Sequence, residues 1–364
     1  MVVDGLEPGR VARPENAEQV AEELRDAAAN GRAVVPVGGG RALGLGDPPE
    51  RFDVALETRA LDRVLELSQA DMTVSVEAGM TLEALNATLA QVGQFLPIDP
   101  FNAPGHTVGG VLAAGLSGPL RLRYGSPRDF VIGLRVALPD GRLVSSGGRV
   151  VKNVSGYDMN KLHQGALGSL GVIVAASFKV FPRPLHEVSV ETRSEDPWRE
   201  AARALGLPQA PVALELASDG RLLARLAGTT SGVRRLAAEL GWTEAGPDAW
   251  EEHARQSGAA WARVSVPPVR LREVVDGLPA GSRWWASPGV GVAHWTGDLD
   301  AEAVRAARAA AERAGGSLVL LAAPVELKRA VGAWGTPPAT AAWMTRLRDA
   351  FDPKRTVSPG RYVV

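Results

Sequence analysis

The sequence contains no cysteine. This absence excludes disulfides, thiolate metal sites, iron–sulfur ligation by cysteine and cysteine nucleophiles. No apolar run approaches the roughly 18 residues of a membrane-spanning helix. Residues 1–5 show no basic stretch followed by an apolar core, so no secretory signal is visible. The sequence therefore predicts a soluble, cytoplasmic protein that would reach a membrane only through its partners.

The chain also lacks a surplus of charge of either sign. Its 40 Lys and Arg residues face 41 Asp and Glu residues, which gives a formal net charge of −1. A protein that binds a phosphate backbone needs a basic surplus, so no nucleic-acid partner is expected. The five histidines are isolated from one another in the sequence, and no metal site is expected from them.

Length and aromatic residues predict two domains. At about 150 residues per domain, 364 residues suggest two. All nine tryptophans lie at or after Trp198, and six of the seven phenylalanines lie at or before Phe181. The intervening segment, 181–184, reads Phe-Pro-Arg-Pro, and two prolines so close can continue neither a strand ladder nor a helix. We therefore predict domains over 1–184 and 185–364.

Both halves mix helix and strand patterns, so the predicted fold class is α+β. In the first half a helical pattern ends at Gly31, and Ala33–Val37 reads as a short buried strand that runs into glycines. In the second half 212–216 and 222–226 read as a hairpin, and Asp300 caps a helix that reaches Ala314. An antiparallel sheet with helices on one face fits this order.

The first motif that carries chemistry is a glycine-rich block directly after the strand. It comprises Pro36, Val37, Gly38, Gly39, Gly40, Arg41, Ala42 and Leu43. Consecutive glycines let several N–H groups turn toward one phosphate. The block is not a P-loop, because it has no Gly-Lys-Ser/Thr. It is not a Rossmann fingerprint either, because Leu43 replaces the third glycine and no helix pattern follows. The alternative interpretation is a flexible surface loop.

Three further blocks follow, and small residues dominate the first of them, where they suit close approach of a planar or polyphosphate ligand. The first comprises Gly105, His106, Thr107, Val108, Gly109 and Gly110, with Gly115, Leu116 and Gly118 beyond it. The second comprises Arg123, Tyr124, Gly125 and Asp129, and the third Lys152 and Asn153, followed by Gly168, Gly171, Val172 and Ile173. For the block around Gly105–Gly118, tight packing between helix and strand would select the same small residues, and this alternative stays open.

Together the four blocks resemble the FAD-binding domain of the PCMH-type, or vanillyl-alcohol oxidase-like, flavoproteins. In that family the first two loops clasp the FAD pyrophosphate, and a Gly-x-x-Gly-Val/Ile-Ile strand lies beside the bound cofactor. The resemblance covers roughly residues 10–184. Residues 351–361 also resemble the family's closing Phe-Asp-Pro…Asn-Pro-Gly signature, with Ser358 in place of the usual Asn. The resemblance thus implies bound FAD, and it makes the segment 351–364 a candidate to return to the FAD domain.

Within this family the blocks look most similar to the smaller FAD-binding subunits of bacterial glycolate oxidases. That resemblance implies a complex with a larger, catalytic FAD-binding subunit and an iron–sulfur subunit. It also implies a small 2-hydroxy acid as substrate, with glycolate oxidised to glyoxylate and electrons passing to the flavin. A noncovalent flavin is expected, because the chain has no cysteine and the first loop has no histidine.

The second half lacks the His-x-Gly-Asp-Gly-Asn-type motif of the catalytic relatives. His294 and Arg283 are the candidates for a base and for a carboxylate-binding cation. A satisfied core histidine is the alternative for His294, and Trp284-Trp285 predicts one ring on each face of a strand. Three functions remain open: a flavin subunit of a complex, a self-sufficient FAD-dependent oxidoreductase, and a structural subunit without flavin turnover.

Overall fold

The structure is a computed structural model that describes residues 1–101, 104–148 and 158–364. The chain divides into two units. The first comprises Met1–Ser117, Ser126–Pro182 and Thr336–Val364, and the second comprises Gly118–Gly125 and Arg183–Gly335. This division differs from the predicted boundary in two places, because Gly118–Gly125 and Thr336–Val364 each join the unit on the other side of it.

Strands and helices are interspersed along the chain. The described strands are β1 (Arg10–Ala12), β2 (Val34–Val37), β3 (Val54–Glu57), β4 (Val64–Ser68), β5 (Thr73–Glu77), β6 (Gln94–Phe95), β7 (Val131–Ala137), β8 (Leu143–Gly147), β9 (Val172–Lys179), β10 (Phe181–Pro182), β11 (His186–Arg193), β12 (Ala213–Ala217), β13 (Arg221–Gly228), β14 (Thr243–Glu244), β15 (Ala260–Ser265), β16 (Arg283–Ser287), β17 (Val292–Gly297) and β18 (Ser317–Ala322). The described helices are α1 (Ala17–Ala29), α2 (Leu82–Ala90), α3 (Val108–Ala114), α4 (Arg121–Tyr124), α5 (Pro127–Phe130), α6 (Asn160–His163), α7 (Pro197–Leu205), α8 (Thr230–Leu240), α9 (Ala249–His253), α10 (Leu271–Asp276), α11 (Ala301–Arg313), α12 (Val325–Val331) and α13 (Ala341–Phe351), with a 3₁₀ turn over Pro268–Arg270. Within these ranges no helix is both long and apolar enough to cross a membrane.

The first unit is built on two larger sheets and a two-stranded ladder. A parallel sheet has the strand order β1-β3-β2, and an antiparallel sheet has the order β4-β5-β9-β7-β8 in the described part of the chain. Strand β2 is also bridged in parallel by Val357 of the C-terminal segment, and the Val34 N–H donates to the Thr356 carbonyl at 2.8 Å. This pairing explains why Thr336–Val364 belongs to the first unit.

Helix α1 shows how the sequence shapes this unit locally. The Asn16 side chain caps its first turn by accepting from the Gln19 N–H at 2.9 Å. Gly31 follows the helix with φ +64°, a left-handed conformation that glycine adopts without strain. The apolar stripe of the helix, which includes Val20 and Leu24, packs into a core cluster with the strands. The predicted helix and the strand after it are therefore present.

The proline pair at 181–184 does not behave as predicted. Phe181 and Pro182 form β10, which pairs in an antiparallel ladder with Gln94 and Phe95 of β6. The prediction that this stretch could not continue a ladder is therefore wrong for Pro182. A proline is tolerated there because the two-residue ladder is an edge pairing in which few backbone donors are needed.

The second unit contains an antiparallel sheet. In the described part of the chain its strand order is β14-β11-β13-β12-β16-β17-β15-β18. Helices α7 and α8 contribute to one buried cluster with β11–β13, and α10–α12 contribute to another with β15–β18. Leu122 of α4 packs against the first of these clusters, which explains why Gly118–Gly125 joins this unit.

Strand alternation separates the two faces of this sheet. Trp284 and Ala286 of β16 face the helices, whereas Trp285 lies on the opposite face and is 1% exposed. The ring of Trp285 stacks on His294 of β17 with centroids 5.2 Å apart. The predicted α+β class, with an antiparallel sheet carrying helices on one face, is confirmed.

Candidate functional site

A pocket in the first unit gathers most residues of the glycine-rich blocks. The space within it, about 770 Å³, is partly open to solvent. Its lining comprises Val35, Pro36, Gly38, Gly39, Gly40, Arg41, Ala42, Leu43, Thr58, His106, Thr107, Gly109, Gly110, Ala113, Ala114, Leu167, Gly168, Val172, Ile173, Ser358 and Arg361. The folding of the first unit thus joins the loop after β2, the turn before α3, the start of β9 and the C-terminal segment.

The loop after β2 and the turn before α3 touch through glycines. A Cβ on Gly38 would lie 2.1 Å from the Thr107 Oγ1, and a Cβ on Gly39 would lie 1.8 Å from the Gly105 carbonyl oxygen. Gly39 cannot be replaced by a larger residue unless the backbone moves, and Gly38 cannot unless the Thr107 side chain shifts. These two glycines are therefore required by the close approach of the two loops, which is a tertiary contact.

The first loop presents unused hydrogen-bond donors. Among the described residues, the backbone N–H groups from Gly38 to Ala42 donate to no protein acceptor. Gly40 has φ +74°, so the backbone turns sharply within this run. The loop has the properties of an anion-binding nest, in which successive N–H groups converge on one oxyanion.

The second loop uses most of its donors within the protein. Thr107 caps α3, because its Oγ1 accepts from the Gly110 N–H at 3.3 Å. The N–H groups of Val108 and Gly109 donate to the carbonyls of Met80 and Ala78. In this loop only the N–H groups of His106 and Thr107 have no acceptor in the described part of the chain. The second loop therefore contributes mainly shape, and the first contributes donors.

Two ionisable side chains flank the loops. Arg41 is exposed, and its guanidinium lies about 3.5 Å from the position that a Cβ on Gly105 would take. The His106 side chain is buried, and its Nε2 lies 3.2 Å from the Phe101 carbonyl oxygen. Burial lowers the pKa of His106, and the nearby Arg41 charge lowers it further. The imidazole is therefore neutral near pH 7, while Arg41 supplies positive charge.

The C-terminal segment contributes two lining residues that sequence reasoning missed. Arg361 is 3% exposed and donates from Nη2 to the carbonyls of Leu43 and Leu45, at 2.7 and 2.5 Å. Ser358 donates from Oγ to the Leu167 carbonyl at 3.0 Å. The signal was present, since both residues belong to the recognised closing signature. Their contacts span more than 190 positions, so sequence alone could not place them in the pocket.

Several predicted residues lie elsewhere. Arg123, Tyr124, Gly125 and Gly118 belong to the second unit and do not line the pocket. Asp129 closes a capping box at the start of α5 by accepting from the Ser126 N–H at 2.7 Å.

The remaining predicted residues have structural roles in turns or in the core, or they lie outside the described residues. Gly115 ends α3 with φ +63°, Leu116 follows it, and Gly171, with φ +138°, forms the turn before β9. Val37 and Val108 are core residues. Lys152 and Asn153 lie outside the described residues.

The two catalytic candidates occupy different environments. His294 is 4% exposed, and its Nδ1 accepts from the Trp261 Nε1–H at 2.9 Å. Burial, with a contribution from the Arg263 charge, lowers the pKa of His294 to about 3. Arg283 is exposed at the start of β16 and donates to the Glu252 carbonyl at 3.4 Å. The structure therefore does not bring His294 and Arg283 together on one accessible site.

The pocket fits a dinucleotide diphosphate. Its first loop offers free N–H groups, Arg41 adds a cation, and the lining residues next to the loops are small. A parallel sheet and an antiparallel sheet carry these loops in one unit, and a separate antiparallel sheet with one helical face forms the other. Fold and pocket together define a dinucleotide-binding protein whose cofactor loops differ from those of the Rossmann fold.

Comparison with known proteins identifies the dinucleotide. Residues 8–147 match the family model described as an FAD-binding domain. This match covers 140 of the 364 residues and supports FAD as the cofactor of the matched domain. A solved structure of alkyldihydroxyacetonephosphate synthase has the same fold, with a TM-score of 0.69 over 97% of this chain and 77% of that chain at 17% identity.

Curated relatives are similar over about half of the chain. Glycolate oxidase subunit GlcE of Escherichia coli K12 is 33% identical over 223 residues, which are 58% of this chain and 63% of that protein. Glycolate oxidase subunit GlcD of Bacillus subtilis is 33% identical over 178 residues, 49% of this chain and 38% of that protein. The mitochondrial cytochrome-linked D-lactate dehydrogenase of Arabidopsis thaliana is 35% identical over 181 residues, 50% of this chain and 32% of that protein. The chain thus spans less than two thirds of each of these relatives.

Proposed function

We propose that this protein is a noncovalent FAD-binding subunit of a glycolate oxidase-like complex. The complex oxidises glycolate, or a closely related 2-hydroxy acid, to the 2-oxo acid. Its other members are a larger FAD-binding catalytic subunit and an iron–sulfur subunit. FAD, when bound, supplies a two-electron acceptor for this chemistry. The assembly works in the cytoplasm or at the inner face of the membrane, where it is held by its partners.

The observation that carries this proposal is the contrast between the unused N–H groups of the cofactor loop and the buried state of His294, the candidate base. The N–H groups of Gly38–Ala42, together with Arg41, can hold a diphosphate. His294, by contrast, is buried and neutral, and its Nδ1 is already occupied by Trp261. Oxidation of a hydroxy acid needs a positioned base for the hydroxyl proton. Similarity to subunit GlcE over 223 residues, beyond the 140 residues of the domain match, supports the subunit role.

Each unit has its own part in this proposal. In the first unit the Gly38–Ala42 loop binds the diphosphate. Arg361 holds Leu43 and Leu45, which follow that loop, against the C-terminal segment, and Ser358 ties this segment to Leu167. In the second unit the antiparallel sheet forms the substrate side. The flavin stays noncovalent, because the pocket contains no cysteine and its histidine, His106, is hydrogen-bonded to the Phe101 carbonyl.

A self-sufficient oxidoreductase is the second candidate. It is favoured by the match to proteins named as complete dehydrogenases, among them the Arabidopsis D-lactate dehydrogenase and a D-2-hydroxyglutarate dehydrogenase of Xanthomonas citri. That similarity covers about half of this chain. The similarity supports a shared FAD domain. Whether the second unit forms a complete substrate site is tested by experiment.

The experiment is anaerobic mixing of the purified, FAD-loaded chain with glycolate or D-lactate, followed at the flavin absorption band. The subunit proposal expects no bleaching by the chain alone and bleaching after the catalytic partner subunit is added. Rapid bleaching of the chain alone would overturn it and favour the self-sufficient enzyme. A colourless chain that fails to take up added FAD would instead indicate a structural subunit.

A further inference from the structure

We propose that the exposed side of α13 is a docking surface for a partner protein that offers an apolar groove with carboxylate groups at its rim. We define the α13 face by Trp343, Arg346, Leu347 and Ala350, all of which are exposed. Their spacing of three and four residues places them along one side of the helix. That the partner is the larger FAD-binding subunit rests on the proposed function, whereas the chemistry of the surface does not.

The first observation is a large aromatic ring in contact with water. Trp343 is 65% exposed, and Leu347, one turn further along the helix, is 39% exposed. All nine tryptophans lie within the described residues, and Trp343 alone among them is exposed. Tryptophan is concentrated at the energetic centres of protein interfaces, because its large ring is buried there with little loss of rotamer freedom. An exposed tryptophan beside an exposed leucine therefore indicates a surface that another molecule covers.

The segment that leads into α13 extends this surface. Residues 336–345 read Thr-Pro-Pro-Ala-Thr-Ala-Ala-Trp-Met-Thr, without a charged residue, and most of them are exposed. Since 22% of the chain is charged, about two charges would be expected in a surface stretch of this length. Removing water from an uncharged stretch costs little, because no ion loses its hydration. Pro337 and Pro338 also restrict the backbone in advance, which lowers the entropy that binding would cost.

The buried side of α13 holds the α13 face in place. Arg348 is 2% exposed and donates to the carbonyls of Val364 and Ser358 at 2.8 and 3.2 Å. Asp352, directly after the helix, accepts from the Val357 N–H at 2.8 Å. The helix is therefore fixed to the C-terminal segment, and docking requires little rearrangement. Ser358 also lines the cofactor pocket, so the docking surface and the pocket share this segment.

The charges on α13 indicate the chemistry of the partner. The Arg346 guanidinium lies 5.1 Å from the centroid of the Trp343 ring, and it forms no ion pair within the described part of the chain. Asp349, the acidic residue of the helix, is already paired with Arg355 at 2.7 Å. The α13 face is therefore apolar and carries one positive charge without a carboxylate. A guanidinium presents parallel N–H donors that match the two oxygens of a carboxylate, so the complementary surface is apolar with a carboxylate at its rim.

A second copy of this chain and a lipid surface do not match this charge. A copy docked through the same face would bring two Arg346 guanidiniums together, with no free carboxylate on either helix. Helices that lie on membranes carry several basic residues beside their apolar side. In α13 the other charged residues are Arg348, which is buried, and Asp349, which is negative. A different protein that offers a carboxylate is the occupant that fits this surface.

The test measures binding of the FAD-loaded full-length chain to the larger FAD-binding subunit from the same organism, purified separately. Calorimetric titration gives the affinity, and sedimentation velocity gives the stoichiometry. The variants are Trp343→Ala and Arg346→Glu. Two matched controls change exposed residues of the second unit: Val269→Ala, at a side chain that is 89% exposed, and Arg235→Glu on α8. Because all four changed side chains are exposed, the melting temperature and the flavin content should stay at the wild-type values.

We expect Trp343→Ala to weaken binding of the partner subunit by about 30-fold or more, because it removes the central ring of the surface. Arg346→Glu should weaken binding as well, since it places a negative charge opposite the partner's carboxylate. The wild-type affinity should fall as the salt concentration rises, and Arg346→Gln should reduce this dependence on salt. Both controls should bind with the wild-type affinity.

The results that would overturn the proposal differ from those that would overturn the proposed function. If Trp343→Ala and Arg346→Glu bind the partner subunit as tightly as the wild type does, the docking surface is wrong while the subunit role stands. Self-association of the isolated chain that Trp343→Ala abolishes would replace the partner with a second copy. Binding to vesicles of anionic phospholipid that Trp343→Ala abolishes would replace it with a lipid surface. If the wild type forms no complex and glycolate bleaches its flavin without a partner, the proposed function itself fails.

Discussion

Replacement of Gly39 by alanine tests whether contact between the two loops builds the FAD site. The added Cβ would lie 1.8 Å from the Gly105 carbonyl oxygen and 3.5 Å from the Thr107 nitrogen. Since real Cβ contacts below 3.0 Å essentially never occur, the loops must separate by about 1.2 Å or more. That shift moves the free N–H groups of the first loop away from the diphosphate.

The size of the effect follows from the contacts. Overpacking of this kind costs about 1–3 kcal/mol of stability. Loss of one good hydrogen bond to a charged oxygen costs about 1.5–3 kcal/mol, which weakens FAD binding by about 10- to 150-fold. We therefore expect Gly39→Ala to fold, to melt a few degrees lower, and to purify with little flavin.

The measurement is the ratio of flavin to protein absorbance after purification, followed by titration of the apoprotein with FAD. Gly246→Ala is the matched control, because a Cβ there meets no atom within 4 Å and its backbone conformation is ordinary. Far-UV circular dichroism shows whether each variant is folded. Full flavin occupancy and an unchanged FAD affinity in Gly39→Ala would refute the loop-contact reasoning.

Acid precipitation should release all flavin into the supernatant, and colour kept in the pellet would point to covalent attachment at His106. Burial lowers the pKa of His163 to about 4 and of His294 to about 3. Below pH 6.5, the ordinary histidine pKa, the unfolded chain therefore binds protons that the folded chain does not. The free energy of unfolding should fall by up to about 1.4 kcal/mol per pH unit for each histidine as the pH drops toward 4. Denaturant titrations between pH 7 and pH 4.5 measure how steeply the free energy of unfolding falls with pH. The slope should be shallower in His163→Gln and unchanged in the exposed control His186→Gln. Equal slopes in all three proteins would contradict the lowered pKa of His163. Ser358 has φ +49°, a left-handed conformation that asparagine tolerates and a β-branched residue does not. Ser358→Asn should therefore keep FAD binding and stability, whereas Ser358→Val should lower the melting temperature. An unchanged melting temperature in Ser358→Val would argue against strain at this position.

Much of the fold was predictable because its signals are local. The cap at Asn16, the left-handed Gly31 and the apolar stripe of α1 lie within 16 residues of one another. The strand before the first glycine block and the hairpin of the second half follow the same logic. Local backbone preferences and hydrophobic periodicity act over such distances whatever the rest of the chain does. Pro182 shows the limit of such local prediction. The local sequence predicted no strand there, but Pro182 pairs with Gln94 in an edge ladder.

The cofactor site was predictable in its parts and not in its assembly. Residue types alone indicated that Gly38–Ala42 can form an anion nest, since glycine after a strand frees several N–H groups. The sequence by itself therefore determined the chemistry of the loop. Only the tertiary structure decided that Gly39 must be glycine, because a Cβ there would clash with the Gly105 carbonyl oxygen. It also decided that Arg361 donates to the Leu43 carbonyl from more than 300 positions away. It alone also decided that the His294 side chain is buried and that its Nδ1 accepts from Trp261. The burial of a side chain and its hydrogen-bond partners depend on which strands become neighbours. The local sequence pattern of one strand does not specify its neighbours, because they are set when the whole sheet forms.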